Sequence, residues 1–220
     1  CRADLYGPGL LGHGIDPGRV TVISPGVDVE MWAPVDAPGR ALDAPVRILF
    51  VGGDLKRKGG DLLVDAVRAL RADPEVPPLE LHLVTGAPVA EEPGIAVHRG
   101  LTANSAELIE QYRRADIFCL PTLGDCLPMV LAEAAAAGLP LVSTDVGAIG
   151  EIVQPGVTGE LVPPGDVEAL ISTLRTLVLD GDRRRREGDR AKALAASSHN
   201  ARSNATRLAD LLADTAGSRR

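Results

Sequence analysis

Apolar residues along this chain fall into two alternating patterns. Short continuous runs bounded by Gly, Pro or Asp predict strands at 46–52 (VRILFVG), 79–85 (LELHLVT), 95–98, 116–120, 139–143 and 160–162. Between them, apolar positions spaced three and four apart predict helices. The first spans 61–72, with Leu62, Leu63, Ala66, Val67 and Leu70 on one face. Others are expected at 105–114, 128–137, 166–180, 183–196 and 201–214, with a short one at 149–153. Pro128 suits the first helical position, where its missing N–H has no intrahelical partner, and Gly138 suits the helix end. Upstream, 20–23 reads as a short strand ending in the turn SPGVD, 33–45 as a loop, and the Gly-rich 1–19 as a linker. A strand that is apolar throughout suits a sheet covered on both faces. Alternation at this spacing predicts βαβ units and an α/β fold, a doubly wound parallel sheet followed by C-terminal helices. Ligands of such sheets bind beyond the carboxyl ends of the strands. Segments 52–59 and 122–129 are expected to converge there.

Composition narrows the reading. A length of 220 residues fits one large domain, or one with appendages. Aromatics make up 2% of the chain, so the core must be mostly Leu, Val and Ala. A formal charge of −7 argues against general nucleic-acid binding. The basic run 183–186 reads as a solvated face or a turn between two late helices, with contact to an anionic lipid surface as the alternative. Cys1, Cys119 and Cys126 lack CxxC spacing, and His13, His82, His98 and His199 lack metal-ligand spacing. Neither a disulfide frame nor a metal site is expected. Cys119 reads as core, and packing accounts for Cys126 better than a nucleophilic role. No run reaches the length of a membrane span. The expected protein is soluble and cytoplasmic, and a start at Cys1 suggests a fragment or a processed form.

Two segments carry candidate chemistry. In 121–147 (PTLGDCLPMVLAEAAAAGLPLVSTDVG) a loop acid, Asp125, precedes a helix acid, Glu133, with a helix start between them. A helix N-terminus attracts phosphate, and carboxylates accept hydrogen bonds from hydroxyls. That pairing suits a nucleotide-sugar ligand. In 48–60 (ILFVGGDLKRKGG) a strand runs into Gly52 and Gly53, which permit close backbone approach, and then into Arg57 and Lys58 at a helix entrance. Neither the GxGxxG fingerprint nor a Walker A loop is present.

In that order these stretches, followed by AAAAGLPLVSTDVGAIGEIV and GVTGELVPPGD, resemble the C-terminal, donor-binding half of the family-four retaining glycosyltransferases of GT-B fold, also called group 1. The likeness begins at VISPGVD (22–28) and runs through the late helices. It implies that Lys58 contacts the donor's diphosphate, Asp125 touches the transferred sugar, and Glu133 holds the nucleotide ribose. Gly52, Gly53, Arg57, Leu127, Pro128, Met129 and Val130 would line the donor, with backbone amides near Met129 and Val130 facing the phosphates. Gly147 and Glu151 read as a turn and a helix cap. Three departures stand out. Gly53 replaces the family's usual arginine, Asp125 is a methylene shorter than the usual glutamate, and Cys126–Leu127–Pro128 replaces small–Phe–Gly.

The resemblance further implies a linker remnant at 1–19, a nucleotide-sugar-binding Rossmann-like domain at 20–197, and a crossover helix and tail at 198–220. An acceptor-binding N-terminal domain is expected as the missing partner, with peripheral membrane contact, if any, through that half. Leu208, Leu211 and Leu212 would then lack their usual cover. The expected reaction transfers a sugar from a nucleoside diphosphate to a hydroxyl with retention, with no cofactor and no metal required. Two rivals stay open: a related GT-B phosphorylase or epimerase, and a non-catalytic donor-like domain that pairs with another chain. A phosphorylase would need pyridoxal phosphate on one of Lys56, Lys58 and Lys192, which are poorly placed for it.

Overall fold

The computed structural model describes residues 13–34 and 44–217. Six strands form one sheet: β1 (Val46–Val51), β2 (Leu79–Val84), β3 (Ile95–His98), β4 (Ile117–Leu120), β5 (Leu141–Thr144) and β6 (Gly159–Val162). Their order is β3-β2-β1-β4-β5-β6, and every pairing is parallel. The central strands β4 and β5 are buried at every position: β4 is apolar throughout, and on β5 the buried Ser143 and Thr144 hydroxyls donate to the carbonyls of Leu120 and Thr122. The polar positions Glu80 and His82 on β2 stay half-buried, so that part of the sheet keeps one open face.

Seven α-helices, α1 (Val29–Trp32), α2 (Gly60–Arg71), α3 (Ala106–Arg114), α4 (Met129–Ala136), α5 (Val167–Leu179), α6 (Gly181–Ser198) and α7 (Ala201–Gly217), and two single 3-10 turns, Pro17–Arg19 and Ile149–Glu151, complete the described chain. From β1 the chain steps outward through α2 to β2, and from β4 it steps the other way through α4 to β5. Right-handed crossovers running in opposite directions put those helices on opposite faces. Accordingly α2 packs on β2 and against α5, whereas α4 packs on β4 and β5 and against α6 and α1. This is the doubly wound parallel sheet with C-terminal helices that the sequence predicts. No helix among the described residues is long and apolar enough to cross a membrane.

Three expectations need correction. Residues 20–23 form no strand, because Val22 is left exposed and no sheet edge runs beside them. The pairing occurs later, where Val27 bridges to Asn200: Val27 N–H donates to the His199 carbonyl at 2.8 Å, and Ala201 N–H to the Val27 carbonyl at 3.0 Å. Asp28 then caps the short α1, which the sequence reading missed. Pro128 lies at the N-cap of α4 with extended backbone, one position before the expected start. The basic run is not a turn, since α6 already begins at Gly181. Within it Arg183 pairs with Glu160 and Glu187, and Arg184 donates to the last carbonyls of α5, at Leu177 (2.6 Å) and Val178 (2.7 Å). The expected linker and loop fall partly on 1–12 and 35–43, outside the described residues. Cys1 is among these. Cys119 lies in the core, where burial pushes its thiol pKa up.

Candidate functional site

The strand order reverses between β1 and β4, and the loops after these two strands meet above that point. The loop after β1 is one tight turn. Lys58 N–H donates to the Asp54 carbonyl at 2.9 Å, and Gly60 N–H to the Leu55 carbonyl at 2.7 Å. Backbone contacts lock it to the loop after β4, where Leu123 N–H and the Thr122 hydroxyl both donate to the Arg57 carbonyl, at 2.8 and 3.1 Å. Gly59 makes this approach feasible: it sits at φ 71, and a Cβ there would lie 2.0 Å from the Pro121 carbonyl oxygen. From β5, the Thr144 hydroxyl donates to the Thr122 carbonyl at 2.6 Å. Gly147 completes the clamp. At φ 57 it passes so close that a Cβ would lie 2.3 Å from the Asp125 carbonyl, and Ala148 N–H donates to the Cys126 carbonyl at 2.7 Å. Gly147 thereby shapes the acid loop.

The clamp brings Lys58 against Asp125. Their ammonium and carboxylate form an ion pair, each side chain 15% exposed. Arg57 reaches the same acid from the outside: its guanidinium lies 3.9 Å from the Asp125 carboxylate and donates to the Gly124 carbonyl at 2.9 Å. Around Gly53, where the family's arginine would stand, a Cβ would meet no atom of the described residues within 4 Å.

Above this pair begins α4. Among the described residues no side chain caps its first turn, and no acid stands there. Its unpaired N–H groups and the positive end of the helix dipole are therefore uncompensated. Val130 lines one cavity with Lys58, Gly52 and Gly53, about 340 Å³ in volume and floored by the carboxyl ends of β1, β2 and β3. On the other side of the helix start, Met129 and Glu133 line a second cavity of about 260 Å³, closed by 26–32 and Asn104. Leu127 is half-buried against the core, and Cys126 is exposed. Lys58 and Asp125 are thus in contact, whereas Glu133 opens on the neighbouring side of the same helix turn. A larger cavity, about 590 Å³, lies elsewhere along the open face of β2 and β3. Arg47, Glu80, Glu91 and Glu92 line it, and each of these acids is already paired with an arginine.

Glu133 accepts a hydrogen bond at 2.7 Å from the Tyr112 hydroxyl. Burial raises the Glu133 pKa, and the tyrosine's bond offsets part of that rise. Burial and the neighbouring acid hold the Tyr112 pKa well above the usual phenol range. Sequence reasoning missed Tyr112, although a tyrosine on the apolar face of an amphipathic helix in an aromatic-poor chain must find a polar partner. It also missed that His98, on the wall of the first cavity, stacks on His82 with ring nitrogens 3.0 Å apart. Desolvation and the neighbouring imidazole lower the His98 pKa. Among the described residues, no group of three or more His, Cys, Asp or Glu side chains is placed to hold a metal.

The family model described as Glycosyl transferases group 1 matches residues 45–180, well over half of the chain. The chain belongs to the group 1 glycosyl transferases. Curated relatives agree: a D-inositol 3-phosphate glycosyltransferase of Kribbella flavida is 32% identical over 201 residues, covering 81% of this chain and 47% of the relative. One from Geodermatophilus obscurus is 36% identical over 201 residues, covering 78% and 44%. This group 1 chain therefore spans about half the length of the curated relatives it matches. Among solved structures, sucrose-phosphate synthase from Thermosynechococcus elongatus superposes with a TM-score of 0.76 at 22% identity, over 90% of this chain and 53% of that one. Anabaena HepE in complex with UDP-glucose gives 0.73 at 18%, over 93% and 60%. The C-terminal domain of a group 1 protein from Francisella tularensis gives 0.65 at 19%, over 78% of this chain and 97% of that one. At these identities the likeness shows a shared fold, the Rossmann-like half of GT-B.

Proposed function

We propose that this chain is the donor-binding half of a glycosyltransferase that moves a sugar from a nucleoside diphosphate to a hydroxyl acceptor, with retained anomeric configuration. The observation that carries the reading is the Lys58–Asp125 pair at the strand-order reversal, beneath the uncapped start of α4. A diphosphate in this cleft draws on Lys58 and the first-turn N–H groups of α4, two sources of positive charge fixed before the ligand arrives. As the bond from the sugar to the diphosphate breaks, negative charge builds on the leaving group, and the same donors stabilise it. Lys58 then exchanges part of its contact with Asp125 for phosphate oxygen, which frees that carboxylate for sugar hydroxyls. Glu133 takes the ribose from the far side of the helix turn. Protein donors supply the positive charge that a metal supplies elsewhere.

The division into a remnant at 1–19, a donor domain at 20–197 and a crossover segment at 198–220 belongs to the same proposal. The acceptor side belongs to a half outside this chain, which the partial coverage of the relatives supports. Leu208, Leu211 and Leu212 are exposed on α7, on the segment that would cross to that half. By the names of its relatives, D-inositol 3-phosphate is the first acceptor to assay with the reconstituted protein. Donor binding is tested on the chain itself, by thermal shift with UDP, GDP and ADP and by calorimetry on Lys58→Ala. Stabilisation of about 2.7 kcal/mol is expected for the matching nucleotide at a hundredfold excess over its dissociation constant. No shift with any nucleotide, or unchanged affinity in Lys58→Ala, removes the assignment.

A further inference from the structure

We propose that Tyr112 is a positioning residue for Glu133, holding one carboxylate oxygen so that the other faces the cavity between α1 and α4. The inference rests on Glu133 being a donor ligand. Tyr112 is fully buried, and its hydroxyl reaches Glu133 Oε2 at 2.7 Å. Its ring is fixed from two sides, edge-on to Trp32 (centroids 4.9 Å apart, planes at 69°) and stacked on Phe118 (5.6 Å, 10°). Two of the other four aromatic residues in the chain (two Phe, one Tyr, one Trp) thus pack around this one phenol. A phenylalanine would fill the same space without needing a partner. An acid half-buried on an otherwise apolar helix is likewise a burden to folding, since its charged form is poorly solvated. Both polar groups make sense together if an ionised, oriented carboxylate is required at the cavity wall.

Charged neighbours do not supply that orientation. Asp28 lines the same cavity, but its carboxylate accepts from Glu30 N–H at 3.1 Å and Met31 N–H at 3.2 Å. Arg113, beside Tyr112, donates to the Met31 carbonyl at 3.2 Å. On α6, which also packs on α4, the buried Glu187 is taken by Arg183. Among the described residues the phenol is the one group bonded to the Glu133 carboxylate.

Tyr112→Phe keeps the ring stack and removes the hydroxyl. In a carboxyl-carbon NMR titration of Glu133 its midpoint is expected to move up, because a bond that favours the charged form has gone. An unmoved midpoint overturns the proposal, whatever the protein binds. In calorimetry with UDP, GDP and ADP, affinity for the matching nucleotide is expected to fall about tenfold at neutral pH. The loss should widen as the pH is lowered, because the carboxylate without its phenol takes up a proton more readily, whereas Glu133→Gln should be weak at every pH. A merely structural tyrosine would lower the melting temperature without tilting that pH profile. If Tyr112→Phe binds as the parent does at every pH while Glu133→Gln is weak, the positioning role is overturned and the donor site stands. If neither variant changes affinity, Glu133 is not a donor ligand, and the positioning proposal falls with it while nucleotide binding through Lys58 stands.

Discussion

Two ion pairs in this molecule use the same chemistry for different ends. Arg183 and Glu187 lie one turn apart on α6, and the same guanidinium reaches Glu160 on β6. Glu187 is 3% exposed, and its second oxygen is buried with no partner among the described residues. Glu187 is thus enclosed by the packing of helix on sheet, and Arg183 reaches it from the rim. Lys58 and Asp125 also join distant segments, but both stand on loops at the open edge of the sheet, and Lys58 lines a cavity. A charge with space beside it can change partners, and one enclosed by helices cannot. Burial with room for a ligand, rather than burial as such, separates a binding pair from a structural one.

Mutation of each pair gives the sharpest test of that distinction. Glu187→Ala leaves the Arg183 guanidinium a quarter exposed and still paired with Glu160, so the cost is that of one lost partner, about 1–3 kcal/mol of stability. Chemical denaturation should register that loss while nucleotide affinity stays at the parent value. Lys58→Ala should show the reverse emphasis. Its affinity for a nucleoside diphosphate should drop by about 1.5–3 kcal/mol, the range for a charge-assisted bond. A Glu187→Ala protein that is stable but fails to bind would break the comparison.

Gly53 sharpens it further. A Cβ at this residue would meet no described atom within 4 Å beyond its chain neighbours, so a side chain can start there without a clash. Gly53→Arg is expected to leave the melting temperature nearly unchanged and to tighten nucleoside-diphosphate binding by about 0.5–1 kcal/mol, the modest value of an exposed charge pair. Weaker binding, measured by calorimetry at low and high salt, would mean that Arg57 already occupies the phosphate side of the cleft.

Much of this arrangement was legible in the sequence because it depends on local patterns. The six strands of the sheet and the six longer helices follow from apolar spacing, with ends shifted by a few residues, and the two candidate-site loops follow from glycines after apolar runs. The stretch at 20–23 misled because a run of β-branched residues signals a strand only where a sheet edge exists to pair with it. The bond between Tyr112 and Glu133, and the stack of His82 on His98, join elements whose distance depends on the whole topology. Sequence spacing carries no trace of such contacts. The basic run at 183–186 is a solvated face only at Arg185 and Arg186, because Glu160, Leu177 and Val178 become partners of Arg183 and Arg184 once α6 lies against β6 and α5.

The smallest expected effect is also the most discriminating. Burial raises the Glu133 pKa above its unfolded value, so the folded protein holds that proton more tightly than the unfolded chain. The associated stability is complete below the unfolded carboxylate pKa and is lost as the pH rises through the folded one. At neutral pH the ionised Glu133 is therefore a net burden on the fold, offset in part by the Tyr112 hydroxyl. Glu133→Gln keeps an oxygen for that hydroxyl and removes the charge. It should melt slightly higher than the parent at neutral pH, with the difference vanishing in mild acid, while nucleotide affinity falls. A stability gained together with a function lost is the mark of a residue kept for its ligand. If Glu133→Gln melted lower at neutral pH, the acid would belong with Glu187 among the groups that hold the fold.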